Sequence, residues 1–112
     1  MKYDIKIDEY GTKIYRINNL LHREDGPACE YSNGDKWWYK NGLLHREDGP
    51  AVEKANGTKY WCKNDKLHRE DGPAVSYFNG NTSWYVNDNC FGYNDDFTNE
   101  SWKFFIKTLI FS

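Results

Sequence analysis

The sequence has no apolar run long enough to cross a membrane and no apolar leader at its N-terminus. Its longest apolar stretch, near residues 104–111, is interrupted by Lys107 and Thr108. A transmembrane helix needs about 20 mainly apolar residues, so this stretch is too short. Residues 1–11 alternate polar and apolar side chains, whereas a signal peptide carries a continuous apolar core. We therefore expect neither a spanning helix nor a secretion signal.

A surplus of charge of one sign is also lacking. The chain carries 17 Asp and Glu against 15 Lys and Arg, which gives a formal net charge of -2. Nucleic-acid binders concentrate positive charge, so this balance argues against nucleic acid as a partner. It also disfavours a membrane-surface adaptor. The three cysteines, Cys29, Cys62 and Cys90, are odd in number and lie in strand-like segments, which indicates free thiols in a cytoplasmic protein.

The sequence is a fixed-period array, because the octapeptide LHREDGPA occurs three times without a substitution. The copies occupy residues 21–28, 44–51 and 67–74, each starting 23 residues after the last. Self-similarity at such a period is typical of one supersecondary unit stacked on its neighbours. We predict a single domain over residues 1–112, with a degenerate first repeat at 1–27. Further repeats follow at 28–50, 51–73 and 74–90, and a helical cap occupies 91–112.

Between the octapeptides, each repeat has two strand-like segments around an Asn-Gly pair. Asn-Gly favours a two-residue type I′ turn, which needs positive φ at both central residues. With such a turn at Asn33-Gly34, Cys29 would face Trp38, and the equivalent pairs are Val52 with Trp61 and Val75 with Trp84. The predicted fold is all-β, a single meandering antiparallel sheet of tandem β-hairpin repeats with a C-terminal capping α-helix. The predicted core is Tyr15, Trp38, Trp61, Trp84, Val52 and Val75.

The other face of the predicted sheet mixes aromatic and polar side chains, and it differs from repeat to repeat. Positions that are identical in every repeat suit a scaffold, whereas variable positions can encode a partner, and aromatic residues are what interface hot spots use. An interpretation in which these are scattered half-exposed tyrosines without a role stays open. This face is predicted to carry Ile14, Glu30, Trp37, Tyr39, Tyr60, Ser83 and Tyr85, with Tyr31, Lys54 and Tyr77 as further variable positions.

The last segment changes period, because Trp102, Phe105, Ile106, Leu109 and Ile110 recur at helical spacing. Thr98 is the expected N-cap of this helix. Two hypotheses stay open here: the helix covers the open end of the array, or it binds a target. The predicted partner-binding residues are Trp37, Tyr39, Tyr60, Tyr85, Tyr31, Tyr77, Trp102 and Phe105.

The histidines of the three octapeptides invite a hypothesis of metal binding or catalysis, which spacing argues against. Equivalent residues of adjacent hairpins lie two strands apart, about 9–10 Å, while zinc sits about 2 Å from each ligand. An active site is a single constellation, not three identical copies. We therefore expect no enzyme, no cofactor and no metal, with Gly taking positive φ in the Asp-Gly-Pro connection. The predicted turn residues are His22, Asp25, Gly26, His45, Asp48, Gly49, His68, Asp71 and Gly72.

The repeat resembles the 23-residue MORN repeat, as its aromatic strand, Asn-Gly, His, second strand and closing Asn-Gly indicate. In one unit these positions are Trp38, Asn41-Gly42, His45, Gly49 and Asn56-Gly57. Two positions differ: Tyr39-Lys40 and His-Arg stand where MORN units usually have a strand glycine and a His-Gly pair. The chain is thus similar to a MORN-like variant found in bacteriophage, giant-virus and bacterial proteins. The resemblance implies hairpins that contact proteins or, less often, lipid, and no catalytic residues.

The function predicted from these observations is protein binding without catalysis. The resemblance to phage arrays narrows this to an inhibitor of a bacterial host or defence protein, acting in the host cytoplasm if the chain is viral. A homo-oligomer would also fit, because a one-layer sheet leaves apolar surface to cover. Two alternatives stay open: a small-ligand protein that sequesters a nucleotide-like signal, and a membrane-surface adaptor.

Overall fold

The computed structural model describes the backbone of residues 2–111 and the side chains of residues 2–109. Within them the regular elements are mostly short strands joined by turns, and a helix comes last. The strands are β1 (Asp4–Ile7), β2 (Lys13–Ile17), β3 (Leu20–Leu21), β4 (Cys29–Glu30), β5 (Lys36–Trp37), β6 (Tyr39–Lys40), β7 (Leu43–Leu44), β8 (Val52–Glu53), β9 (Lys59–Tyr60), β10 (Cys62–Lys63), β11 (Lys66–Leu67), β12 (Val75–Ser76), β13 (Thr82–Val86) and β14 (Asn89–Tyr93). A 3-10 helix (Asn94–Asp96) and the helix α1 (Asn99–Phe111) follow.

The strands form an antiparallel meander, which confirms the predicted fold class. The main sheet has the order β1-β2-β4-β5-β8-β9-β12-β13-β14, with β3 also paired to β2. Two short hairpins, β6-β7 and β10-β11, stand beside it. Each of the two middle repeats therefore adds one hairpin to the main sheet and places a second hairpin at its side.

Two kinds of turn alternate along the chain, and both recur every 23 residues. The side hairpins, and the main-sheet hairpins β2-β3 and β13-β14, turn through type I′ pairs with positive φ at both residues: Asn18-Asn19, Asn41-Gly42, Asn64-Asp65 and Asn87-Asp88. In the main-sheet hairpins β1-β2, β4-β5, β8-β9 and β12-β13 only the glycine has positive φ, at Gly11, Gly34, Gly57 and Gly80. In the last three of these the asparagine before the glycine closes the loop, as Asn33 Oδ1 does by accepting the Asp35 N–H at 2.9 Å. In the first, Asp8 Oδ1 accepts the Thr12 N–H at 3.0 Å. The Asn-Gly pairs predicted to be type I′ turns are thus longer, three-residue loops.

The longer loop shifts the predicted strand register by one residue. Cys29 pairs with Trp37, not with Trp38. Val52 likewise pairs with Tyr60 and Val75 with Ser83, so the predicted partners Trp61 and Trp84 are wrong. Because side chains alternate across a strand, a one-residue slip moves a side chain to the other face.

The corrected register gives the sheet two distinct faces. We call one the aromatic face, defined by the cross-strand row Ile14, Cys29, Trp37, Val52, Tyr60 and Val75. We call the other the arginine face, defined by Tyr15, Trp38, Trp61, Arg23, Arg46 and Arg69. Glu30, predicted for the first of these, lies on the second, where Arg23 Nη1 contacts it at 3.2 Å. Of the predicted core, Tyr15, Val52, Val75 and Trp84 are buried, but Trp38 and Trp61 are only partly so.

A compact apolar core lies at the C-terminal end of the array. Thr98 caps α1, since its Oγ1 accepts the Ser101 N–H at 3.1 Å while the Ser101 Oγ accepts the Thr98 N–H at 2.9 Å. The helix is thereby held with Trp102 fully inside, where its indole N–H donates to the Arg69 carbonyl at 2.8 Å. The buried members of this core are Trp84, Val86, Trp102 and Ile106, with Phe97 and Phe105 packed against them.

This packing supports the hypothesis of a covering helix. The prediction that Trp102 binds a partner is wrong for the folded chain, because none of its side chain reaches the surface. Phe105 is half-buried against the same core. The side chain of Ile110, predicted to share the apolar face of the helix, lies outside the described residues. No helix among the described residues is long and apolar enough to span a membrane.

Candidate functional site

Each octapeptide folds around its arginine. The Arg46 guanidinium lies over the Trp38 ring, with Cζ 4.0 Å from the ring centroid. Its Nε donates to Asp48 Oδ1 at 3.1 Å, and its Nη1 donates to the Pro50 carbonyl at 3.1 Å. Arg23 over Tyr15 and Arg69 over Trp61 repeat the stacking at 4.0 and 3.9 Å. The arginines are therefore structural braces, with Nε and Nη1 of each engaged within its own repeat.

The octapeptide glycine makes room for this brace. A Cβ built on Gly49 would lie 2.8 Å from the Arg46 Cζ, and Gly26 and Gly72 are equally tight at 2.9 and 2.7 Å. None of the three glycines has positive φ. The predicted reason for glycine in Asp-Gly-Pro, a left-handed backbone, is therefore wrong, and the close approach of the guanidinium replaces it.

The octapeptide histidines connect successive repeats. His45 Nδ1 accepts the backbone N–H of Asn64, in the type I′ turn of the next repeat, at 3.1 Å. Its Nε2 lies 2.6 Å from Glu47 Oε1. His22 with Asn41 and His68 with Asn87 make the same link at 3.0 and 3.2 Å. An accepting Nδ1 and a donating Nε2 define the neutral Nε2–H tautomer, and both ring nitrogens are used.

The predicted turn carboxylates are the most exposed part of the octapeptides. The Asp48 side chain is 87% exposed even though it pairs with Arg46. Asp25 and Asp71 are exposed in the same way beside Arg23 and Arg69. The loops of neighbouring repeats enclose open grooves of about 590 and 450 Å³, lined largely by these ion pairs.

The variable residues of the aromatic face gather into separate clusters. In the first, the Tyr31 ring meets Trp37 edge-on at 6.1 Å, and Trp37 stacks on Tyr39 at 6.5 Å with 12° between the planes. Burial raises the pKa of Tyr39 to about 12. The Trp37 indole nitrogen is buried and has no hydrogen-bond acceptor among the described residues. The structure thus brings three of the predicted partner-binding residues together, and we call them the Trp37 cluster.

The next two repeats present different chemistry at the same positions. In the second repeat Lys54, Tyr60 and Cys62 replace the Trp37 cluster, and Lys54 Nζ lies 5.5 Å from the Tyr60 ring centroid. Burial raises the pKa of the Cys62 thiol to about 11. In the third repeat the equivalent positions hold Tyr77, Ser83 and Tyr85. Burial is the main cause that raises the pKa of Tyr85, and the nearby Cys90 raises it further. The predicted residues therefore form two aromatic clusters that flank a lysine-bearing centre.

The sequence prediction did not assign the arginines to aromatic rings. The signal was present, because an aromatic residue precedes each octapeptide arginine by eight positions, at Tyr15, Trp38 and Trp61. The predicted strand register is wrong by one residue, and it places these three rings in the interior of the protein. The prediction therefore misses the arginines that stack on these rings.

Comparison with known proteins returned no relative: no family model matches the chain, no curated protein matches it, and no solved structure matches it. The resemblance to MORN repeats stays a prediction.

Proposed function

We propose that this protein is a non-enzymatic binding module that engages another protein through the aromatic face, with the Trp37 cluster as its anchor. The observation that carries the proposal is the buried Trp37 indole N–H, for which the described part of the chain supplies no acceptor. Buried polar groups normally have a partner, and leaving one unpaired costs about 1–3 kcal/mol. Because this nitrogen is buried, the Trp37 ring would have to turn outward on binding, and a carbonyl oxygen of the partner would then satisfy the N–H.

The composition of the aromatic face supports a protein as the partner. Tryptophan and tyrosine dominate interface hot spots because they bury large rigid surfaces at low entropic cost. Tyr31 and Tyr77 are each 40% exposed, so both ends of the face offer accessible rings. The positions differ between repeats, whereas the arginine face is the same in every octapeptide. A surface that varies within a constant scaffold suits one specific partner.

The small-ligand alternative, in which arginine and aromatic groups would hold a nucleotide-like signal, is weakened by the contacts that the octapeptide arginines already make. Each octapeptide guanidinium stacks on a ring and donates to an aspartate and a proline carbonyl. A phosphate-bearing ligand would have to share each guanidinium with these contacts and with the neighbouring aspartate charge. The narrower hypothesis of a phage-type inhibitor of a host or defence protein rests on the resemblance of the repeat alone.

The proposal is tested by comparing capture of proteins from a bacterial lysate by the wild-type chain and two variants. Trp37→Ser with Tyr39→Ser removes the anchor, while Glu47→Gln with Asp48→Asn alters an exposed part of the arginine face. We expect one captured protein to be lost at least about tenfold with the first variant and retained with the second. Circular dichroism confirms folding of both. Equal capture by all three chains would refute the aromatic face as the binding surface.

A further inference from the structure

The first strand of the main sheet has an open edge. β1 lies at the end of the strand order and pairs only with β2. All four of its residues are exposed, and Ile5 and Ile7 are 48% and 67% exposed. An exposed strand edge with apolar side chains is a template for pairing with another strand.

The backbone of this edge has a defined direction. The Asp8 N–H donates to the Thr12 carbonyl at 3.0 Å, which marks a hydrogen-bonded pair of the β1-β2 hairpin. Hydrogen-bonded pairs alternate along an antiparallel ladder, so Lys6 and Asp4 direct their backbone groups to β2. Ile5 and Ile7 therefore direct their N–H and C=O groups outward, away from the sheet.

The other end of the array is protected. The pairing of β13 with β14 is interrupted by a register shift between Trp84 and Tyr85, and the Tyr93 N–H is taken by Asp96 Oδ2 at 2.8 Å. Phe91 of β14 packs against Trp102 of the helix, with ring centroids 6.2 Å apart. Bulges and covering helices are the devices that keep a strand edge from pairing. Within the described residues, β1 has neither a register shift nor a covering helix.

The sequence of the edge is self-complementary in one antiparallel register. When Ile5 of one copy faces Ile5 of a second, Asp4 faces Lys6 in both directions. Continued outward, Tyr3 faces Ile7 and Lys2 faces Asp8. Every charged side chain in this arrangement meets one of opposite sign, and opposite charges across a strand pair are stabilising.

In the two nearest alternative registers that also leave Ile5 and Ile7 hydrogen-bonded to the second copy, like charges face each other. Moving the second copy two residues one way places Lys6 against Lys6 and Asp4 against Asp8. Moving it two residues the other way places Asp4 against Asp4 and Lys2 against Lys6. Like charges directly opposite each other are destabilising. The charges therefore select one register.

We infer that β1 is a homodimerisation edge, at which two copies of this chain join antiparallel about a two-fold axis through Ile5 and continue the main sheet. Three outward-facing pairs, Ile5 with Ile5 and Tyr3 with Ile7 twice, exchange about six backbone hydrogen bonds. The two aromatic faces then lie in one continuous sheet. This inference does not depend on the proposed function.

A charge-swap series measured by sedimentation velocity tests the register. The wild-type chain is expected to sediment at twice its 13.3-kDa mass in a concentration-dependent manner. Asp4→Lys alone, or Lys6→Asp alone, places like charges opposite each other and should weaken the dimer at least about tenfold. The double variant Asp4→Lys/Lys6→Asp restores both pairs and should restore dimerisation. A wild-type chain that stays monomeric up to about 100 μM, or a double variant that stays as weak as the single ones, would overturn the inference.

Cross-linking in a Cys90→Ser background gives an independent test. In a hydrogen-bonded pair the two Cα atoms lie about 5.5 Å apart, within disulfide range. Ile5→Cys should therefore form a covalent dimer on mild oxidation. Ile7→Cys, whose counterpart in the second copy lies about 13 Å further along the strand, should not. Preferential cross-linking of Ile7→Cys would contradict this register.

Discussion

At the scale of single residues, the octapeptide glycine and arginine form one unit. Gly49 is needed because a Cβ there would meet the Arg46 guanidinium at 2.8 Å, although its backbone would accept any residue. If the guanidinium moved away from this Cβ, it would lose its stacking on the Trp38 ring and its hydrogen bond to the Asp48 carboxylate. Glycine and arginine therefore depend on each other within each copy.

We predict that Gly49→Ala lowers the free energy of unfolding by about 1–3 kcal/mol, as overpacking of a tight contact does. Urea unfolding followed by circular dichroism measures the change. Arg46→Ala supplies the matched background, since without the guanidinium the added methyl group meets nothing. In a double-mutant cycle, Gly49→Ala should cost little more once Arg46 is absent. Additive losses would show that the two residues do not interact.

The cysteines allow a second prediction at this scale. Cys62 is buried, and burial raises the pKa of its thiol to about 11, whereas Cys90 is exposed. Only the thiolate reacts with alkylating reagents. At about pH 8, iodoacetamide should therefore modify Cys90 well before Cys62. Mass spectrometry of digested protein reads out the order, and denaturant should abolish the difference. Equal rates in the folded chain would contradict the burial of Cys62.

At the scale of elements, the two turn types explain which part of the prediction failed. The period of 23 residues and the presence of hairpins follow from the repeated Asn-Gly pairs alone. The register does not, because Asn-Gly fits both a type I′ turn and the end of a three-residue loop. In Asn33-Gly34 the asparagine keeps negative φ and accepts the Asp35 N–H, while in Asn41-Gly42 both residues have positive φ. The dipeptide is identical, and only the tertiary contacts separate the two cases.

The histidine link is also a property of elements, since it joins the loop of one repeat to the turn of the next. Replacing His45 by Ala removes the acceptor of the exposed Asn64 N–H, which water can then reach, and we predict a loss of about 0.5–1.5 kcal/mol. His45→Asn is the control, because an amide oxygen can reach the position of Nδ1. Hydrogen exchange of the Asn64 amide should accelerate in the Ala variant more than in the Asn variant. Unchanged exchange in both would mean that the bond does not protect the turn.

At the scale of the whole molecule, the chain is a stack 45 Å long and 18 Å thick, with each repeat in contact with its neighbours. Sequence sufficed for this architecture and for the covering helix, since both follow from periodicity. The sequence did not suffice to predict which residues lie together in the candidate site. Whether two residues share a face depends on whether the loop between them has an even or an odd number of residues. The loops have one residue more than predicted, and Trp37 and Tyr60 therefore lie on the face of Cys29 and Val52. The sequence identifies which positions vary between repeats, but not which residues lie beside them in the sheet.

An array held by nearest-neighbour contacts should tolerate an additional repeat. We predict that a second copy of residues 51–73, inserted after Pro73, folds and raises the free energy of unfolding, because each interface adds a favourable contribution. The His68 link to a following turn and the Arg69 contact with Trp61 would both be reproduced. The denaturant m-value should rise by about a fifth, in proportion to chain length. An insert with its HREDGP segment scrambled keeps composition and length but lacks both contacts, and it should lower the urea midpoint instead. If both inserts behaved alike, the octapeptide would be a simple spacer, and the stability of the array would have to come from the strands alone.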